Sequence, residues 1–312
     1  MKRLAILSLA FVLTLSMLGS AFAQNEDTTI GLVTINLQAL FFNQINDGAT
    51  QAAEEAGVDL NIVDGRNDPA RQVDAIETFI TQGVDAIIVV AIDVEGIVPA
   101  VQSAQDAGIP VVAIDARIEV PPANTFIGVD NLGAGEEAGT YTRDFVANEM
   151  DGSAQIGIVG ALNSFIQNQR RDGFVNILEG AEGIEIVGTV DGQNVQETAL
   201  SAAENLVTGN PDLNIIYATG EPALIGAIAA VESQGAQDRV TIIGWDLSEQ
   251  AIRGIDEGFV QAVVQQDPFQ EGVQAVEASL SLVNGEEASE EILIPITIVT
   301  QDNVNEYRSL FE

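Results

Sequence analysis

Beyond its first two dozen residues the chain alternates short, continuously apolar runs with longer stretches of helical period. The runs Thr29–Asn36, Asp59–Asp64, Ala86–Ile92, Pro110–Asp115 and Thr125–Val129 predict one set of strands. A second set is Gln155–Ala161, Glu185–Val190, Leu213–Thr219, Val240–Asp246 and Val260–Gln266, with a last run at Glu291–Thr300. Most are rich in β-branched residues and apolar at every position, as parallel strands buried on both faces are. Between them the 3.6-residue period predicts helices over Phe42–Ala56, Pro69–Gln82, Glu95–Ala107, Gly135–Glu149, Gln196–Thr208, Pro222–Gln234 and Gln270–Asn284. Repeated βα alternation predicts an α/β fold with parallel sheets and right-handed crossovers.

The chain breakers agree. Gln82-Gly83 and Ala107-Gly108-Ile109-Pro110 place glycine where helices stop, and Asp68-Pro69 places proline in a first helical turn behind a capping acid. Two stretches of similar rhythm, Thr29–Val129 and Asn131–Gln266, suggest two lobes. No low-complexity linker joins them, so several short crossings are expected rather than one tether.

The first residues read differently. Met1-Lys2-Arg3 is a short basic segment, Leu4–Leu18 is apolar, and Gly19–Ala23 ends in a small-x-small pattern. This layout predicts a secretory signal peptide over residues 1–23, cleaved after Ala23, and a mature protein in an extracytoplasmic space. The apolar run is short for a membrane span, and no cysteine follows it to carry a lipid. Removing Lys2 and Arg3 from the 11 bases leaves nine arginines against 47 acids, a formal net charge of −38. Such a surface lacks the basic footprint of a nucleic-acid binder and disfavours anionic membranes. Scattered acids with no lysine suit a high-salt habitat, where screening weakens self-repulsion.

Histidine and cysteine are absent from the chain. Imidazole bases, thiol nucleophiles and ordinary zinc sites are therefore excluded, and no cofactor or metal is expected. No Gly-x-Ser-x-Gly elbow occurs, and a phosphate-binding P-loop needs a lysine that the mature chain lacks. The glycine-rich segment Asn131–Gly139 has the wrong spacing for a dinucleotide fingerprint, and Glu136 and Glu137 would repel a pyrophosphate. It reads as a tight connection between lobes.

In open α/β sheets ligands bind beyond the carboxyl ends of the strands. The residues there are Asn36, Gln38, Phe41 and Phe42; Asp93; Asp115 and Arg117; Asp130 and Asn131; Asn163; Glu221; Trp245 and Asp246; and Gln265 and Gln266. Carboxylates, amides and aromatic rings together suit a small neutral, polyhydroxylated ligand. Each strand-end acid could instead cap the next helix, and each aromatic could belong to the core.

A set of ordered segments then resembles a known family. They are Thr29–Val33, Phe41-Phe42, Asp47-Gly48-Ala49, Asn67-Asp68-Pro69-Ala70, Asp85–Val89, Gly108–Val112 running to Asp115, Gly128–Asn131, Arg170 with Gly173-Phe174, Asn210-Pro211-Asp212, Gly244-Trp245-Asp246, and Gln266-Asp267-Pro268 with Gly272. In order and spacing the chain resembles the periplasmic sugar-binding proteins of the ribose-binding type, whose lobes are shared with lactose-repressor-like regulators. The resemblance implies a type I solute-binding fold, two Rossmann-like lobes joined by a three-crossing hinge near Asp130, Gln266 and Ile296. It divides the chain into an N-terminal lobe of residues 29–129 plus 267–295 and a C-terminal lobe of 130–266 plus 296–312.

The resemblance also implies roles. Phe41 and Phe42 match a pair that stacks on the sugar from the first lobe, and Trp245 the aromatic that stacks from the second. Asp115 and Asp246 match acids that hold hydroxyls, and Gln266 a hinge amide. The position of the second-lobe arginine falls on Asn168, with Arg170 matching a neighbour. Other positions depart from the family: Ala39, Ala116, Asn194 and Gly220 stand where ribose binders carry Asn, Arg, Phe and Asn. Arg66, Arg117 or Arg171 could supply a displaced donor. The function implied is an exported, monomeric periplasmic binding protein, not an enzyme, that captures a pentose, hexose or polyol and delivers it to an ABC transporter permease. The alternative is a sensory binding protein presenting a signal molecule to a membrane receptor.

Overall fold

A computed structural model of the chain describes residues 28–119 and 123–311. The signal-peptide reading of residues 1–23 lies outside the described residues. The described chain forms two six-stranded sheets, each layered between helices. The first sheet contains β1 (Thr29–Thr34), β2 (Asp59–Asp64), β3 (Ala86–Val89), β4 (Val111–Ile114), β5 (Thr125–Gly128) and β11 (Glu291–Leu293), in the order β11-β5-β4-β3-β1-β2. The second contains β6 (Ala154–Gly160), β7 (Ile184–Asp191), β8 (Ile215–Ala218), β9 (Thr241–Trp245), β10 (Val260–Gln265) and β12 (Thr297–Val299), in the order β12-β10-β9-β8-β6-β7. All pairings are parallel except β10 with β12. The two sheets therefore share one winding, and the α/β class expected from the pattern is the one observed.

The helices are α1 (Leu40–Ala56), α2 (Pro69–Gln82), α3 (Val98–Asp106), α4 (Asn131–Glu149), α5 (Phe165–Leu178), α6 (Gln196–Gly209), α7 (Glu221–Ser233), α8 (Glu249–Glu257) and α9 (Pro268–Val283). Asp68 caps α2 through Ala70 N at 2.9 Å, with Pro69 in the first turn. Helix α3 starts three residues later than the pattern suggests, because Pro99 fits only a first turn. Helix α5 is not singled out by apolar periodicity. Its buried face carries Gln167 and Arg170 beside Gly173 and Phe174, so the stripe that faces inward is half polar.

Strand alternation builds a core on each side of each sheet. In β3, Ala86 and Ile88 face the layer of α1 and α9, while Ile87 and Val89 face that of α2 and α3. In the second sheet, Ile216 and Ile242 face one layer, and Ile215, Tyr217, Ile243 and Trp245 face the α4–α5 layer. Each such aliphatic side chain, fully buried, stabilises the fold by about 1.5–3 kcal/mol before entropy is counted.

Three segments pass between the sheets: Val129–Asp130 after β5, Gln266–Asp267 after β10, and Ile294–Ile296 after β11. The last run read from the sequence, Glu291–Thr300, is two strands. Pro295 breaks it, leaving β11 parallel to β5 in one sheet and β12 antiparallel to β10 in the other. The segment Asn131–Gly139 is not a connection but the first half of α4, capped by Asp130 through Gly133 N at 2.9 Å. Glycines on both helices bring α4 onto α5: a Cβ on Gly135 would lie 2.3 Å from the Arg170 carbonyl oxygen, and one on Gly173 would lie 2.1 Å from that of Leu132.

Candidate functional site

Each of the two central strands β4 and β9 ends in an aspartate. The residue after β4 is Asp115 and the residue after β9 is Asp246, and both have left-handed backbones, at φ +64° and +61°. A non-glycine residue with positive φ is uncommon, and aspartate is among the few that tolerate it. Here it turns both carboxylates off the strand line into the space between the lobes.

Arg170 anchors that space from the second lobe. It is 5 % exposed. Its Nε donates to Asn131 Oδ1 at 2.8 Å and its Nη1 to the Thr219 carbonyl at 3.3 Å. Nη1 also lies 3.5 Å from Asp246 Oδ2, and the guanidinium carbon sits 3.9 Å above the Trp245 ring. Beneath it, Trp245 Nε1 donates to Tyr217 Oη at 2.7 Å, and the Tyr217 hydroxyl donates to the Arg170 carbonyl at 3.3 Å. Tyr217 stacks flat on Phe174 at 3.7 Å, and burial holds its phenol protonated far above the ordinary range. Asn131 donates in turn to the Val129 carbonyl at 3.2 Å, tying the arginine to the first crossing.

Gln266, at the second crossing, donates to Asp246 Oδ1 at 2.7 Å. Gln265 accepts from Leu247 N and donates to the Gln266 carbonyl, both at 2.8 Å. Asp246 is thus held from one side by a hinge amide and from the other by Arg170. Across the space, the Asp115 carboxylate accepts no hydrogen bond among the described residues. Desolvation raises its pKa, Arg170 lowers it in part, and Asp246 raises it again. Glu221, the first residue of α7, is also raised, by burial and then by Asp246.

A cleft of about 530 Å³ is lined from both lobes, by Asp115, Arg117 and Phe126 of the first and Asn131, Phe165 and Gln169 of the second, among others. A smaller crevice of about 100 Å³ lies between Phe41, Glu221, Asp246, Gln265 and the C-terminal Phe311. Phe41 and Phe42 meet edge to face at 5.5 Å in the first turn of α1, both half-buried.

Four expected residues are placed otherwise. Trp245 is 0 % exposed: strand alternation points it with Ile243 and Tyr217 into the α4–α5 layer, and Arg170 covers its ring. It is a platform for the arginine and offers no face to a ligand here. Asn168 turns away, donating to the Leu162 carbonyl at 3.0 Å and accepting from Arg171. Arg170, two residues on, is the arginine of this helix whose side chain reaches Asp246. Asn36 organises the loop before α1, accepting from Gln38 N and Ala39 N and donating to Asn67. Arg117 pairs with Glu291 and lies 4.2 Å over Phe126, so it forms cleft wall rather than a free donor.

Sequence reasoning named Arg170 without assigning it a role in the site, and did not single out Glu271. The inward spacing of Gln167, Arg170, Gly173 and Phe174 on α5 was the available signal for the first. For Glu271 the signal was an acid within the apolar face of α9.

Two α/β lobes, three crossings and a polar cleft fed by both strand ends define a two-lobed binding protein. The comparisons agree. Residues 30–287 match the family model described as periplasmic binding protein domain, and the chain belongs to that family. It is 30% identical to a ribose import binding protein of Bacillus subtilis, over 88% of each chain. It is 26% identical to the corresponding Escherichia coli protein, over 96% of this chain and 99% of that one. Among solved structures it is similar to an ABC transporter solute binding protein from Bacillus halodurans with bound myo-inositol. The TM-score is 0.79, with 27% identity over 93% of this chain and 100% of that one. An Actinobacillus succinogenes solute binding protein with bound D-allose gives 0.80, with 26% identity over 90% and 100%.

Proposed function

We propose that this protein captures a small sugar or polyol in the cleft between its lobes and hands it to an ABC importer. The observation that carries the reading is the convergence on one space of Asp115 from the first lobe with Asp246 and Arg170 from the second. Carboxylates accept paired hydroxyl hydrogen bonds and the guanidinium donates them, so a polyol can satisfy both lobes at once. A ligand bonded to both lobes favours the arrangement in which they face each other, and shifts the hinge equilibrium toward it. The ring pair Phe41–Phe42 offers the apolar wall that the C–H face of a sugar needs.

The relatives named above support the ligand class, since their names and bound molecules are ribose, myo-inositol and D-allose. Family membership supports a periplasmic location; cleavage after Ala23, a membrane permease as partner and action as a monomer belong to the same proposal. The protein is a carrier and not an enzyme. Its site holds no nucleophile–base pair of the usual kind, because histidine and cysteine are absent from the chain.

A thermal-shift screen of the purified protein against pentoses, hexoses and polyols tests this, because a ligand of the native state raises stability by mass action. A large stabilisation by one of them, lost in Asp246→Ala, is the expected result. A response confined to amino acids or other classes would overturn the ligand while leaving the fold in place.

A further inference from the structure

One group near the cleft is not used by that reading. Glu271 lies in the first turn of α9, directly after the second crossing, on the layer that α9 and α1 lay over the first sheet. It is 0 % exposed, and neither carboxyl oxygen has a hydrogen-bond partner. Its charged neighbours are Asp115 at the end of β4, Asp267 capping its own helix, Asp246 at the end of β9, and Arg170 on α5. From α1, the facing layer contributes Asn46, also buried and unpartnered.

The protein itself supplies no partner that would let the carboxyls around this point ionise together. Three carboxyls, Asp115, Asp246 and Glu271, share the field of a single guanidinium. That guanidinium is already committed to Asn131, Thr219, Asp246 and the Trp245 face. Arg117, the other cation of the cleft, is paired with Glu291. A high-salt habitat would account for solvated acids on the surface. It does not explain Glu271, which no solvent reaches, or Asp115, which is recessed and without a donor. Buried carboxyls are costly unless paired, and a neutral hydroxyl gives them no countercharge.

We propose that the ligand preferred by this cleft carries a protonated amine, as an amino sugar or amino polyol does, with its ammonium group held between Asp115 and Asp246 and Glu271 supplying negative charge from behind. This rests on the carbohydrate reading of the cleft and narrows it: a ring that satisfies Arg170 and the Phe41–Phe42 wall, plus one cation. The ammonium supplies the missing donor to Asp115 and the countercharge that lets Glu271 release its proton. Burial and its acidic neighbours keep Glu271 protonated well above the usual carboxylate range, and an arriving cation opposes that shift. Amine binding therefore strengthens as pH rises and Glu271 and Asp115 ionise, until the amine itself loses its proton.

The test is calorimetric titration of the purified protein with D-glucose, D-galactose and myo-inositol, each beside its monoamino derivative and the N-acetylated form of that amine. At least one amine is expected to bind about tenfold or more tighter than its neutral parent. N-acetylation, which keeps the position filled but removes the charge, should abolish the preference. Glu271→Gln should shrink it, and Glu271→Met provides a second neutral variant should the glutamine form fold poorly. Parents that bind as tightly as their amines would overturn this inference and leave the carbohydrate cleft standing. An amine preference undiminished in both variants would remove Glu271 from it. Failure of every compound, charged and neutral, would sink the underlying reading as well.

Discussion

Asp115 and Asp246 are the same residue of two sheets: each follows a central strand and each turns on a left-handed backbone, at φ +64° and +61°. Strain of this kind persists where surrounding structure over-determines it, and it gathers at functional sites. The side chain and the backbone make separable demands here. Asp115→Asn keeps a residue that tolerates positive φ and removes the charge. It should fold with near-native stability and lose about tenfold or more in ligand affinity. Asp115→Val should also cost about 1–2 kcal/mol of stability, because a β-branched residue does not fit that backbone. Calorimetry with thermal melts separates the two.

Trp245 is the single tryptophan of the chain, which makes its environment measurable. Sealed beneath Arg170, it should emit like an indole in a dry core and resist quenching by iodide, with or without ligand. Trp245→Phe removes the bond to Tyr217 and the better cation–π partner, and should weaken both stability and binding by about 1 kcal/mol or more. A ligand-free protein whose tryptophan is readily quenched would refute this placement.

The contact between α4 and α5 sets where Arg170 stands. Gly173→Ala places a methyl 2.1 Å from a backbone oxygen, so one helix must move. The expected cost is about 1–3 kcal/mol, with a loss of affinity although no ligand contact is removed. Gly209→Ala, where a Cβ meets nothing, serves as the control.

Glu271 gives the stability a pH dependence of known sign. Its folded pKa is raised well above the ordinary 4.5, so the native state keeps a proton that the unfolded chain has released. The contribution is fully present below 4.5 and is lost as pH rises toward the folded value. Glu271→Met should therefore match the wild type in acid and exceed it by about 1–3 kcal/mol at neutral pH. Urea unfolding of both proteins across that range checks the difference, in which the other carboxylates cancel.

The acidic surface predicts a response to salt. With nine bases among residues 24–312 and 47 acids, most carboxylates have no cationic partner. Raising ionic strength from about 0.1 M to about 1 M shortens the screening length from about 10 Å to about 3 Å. The melting temperature should climb along that series. A flat or falling series would count against high-salt adaptation.

Much of this architecture was legible because apolar runs and helical periods are local. β2 and α2 were read to the residue. β3 was overrun past Val89 because Val90, Ala91 and Ile92, which leave the sheet, are as apolar as those within it, while β4 and β9 were overrun by one residue, the aspartate after Ile114 and after Trp245. The site was legible as a set of strand-end residues, which brought out Asp115, Asp246 and Gln266. It was not legible where direction decides. Whether Trp245 faces a ligand or the core depends on the pleat, and whether Asn168 or Arg170 points inward depends on the phase of a helix whose buried stripe is half polar. Glu271 stood out only once its surroundings were known, since an acid early in a helix is ordinarily a favourable and exposed choice.

The interruption at Pro295 bears on how the molecule is made. The segment Glu291–Val299, two three-residue strands on either side of the Pro295 crossing, completes the outer edge of both sheets, β11 beside β5 and β12 beside β10. Until they emerge from the ribosome neither lobe can close its sheet, and each leaves an unpaired edge open to a neighbouring chain. Synthesis of the two halves is sequential, but their completion is a single late event.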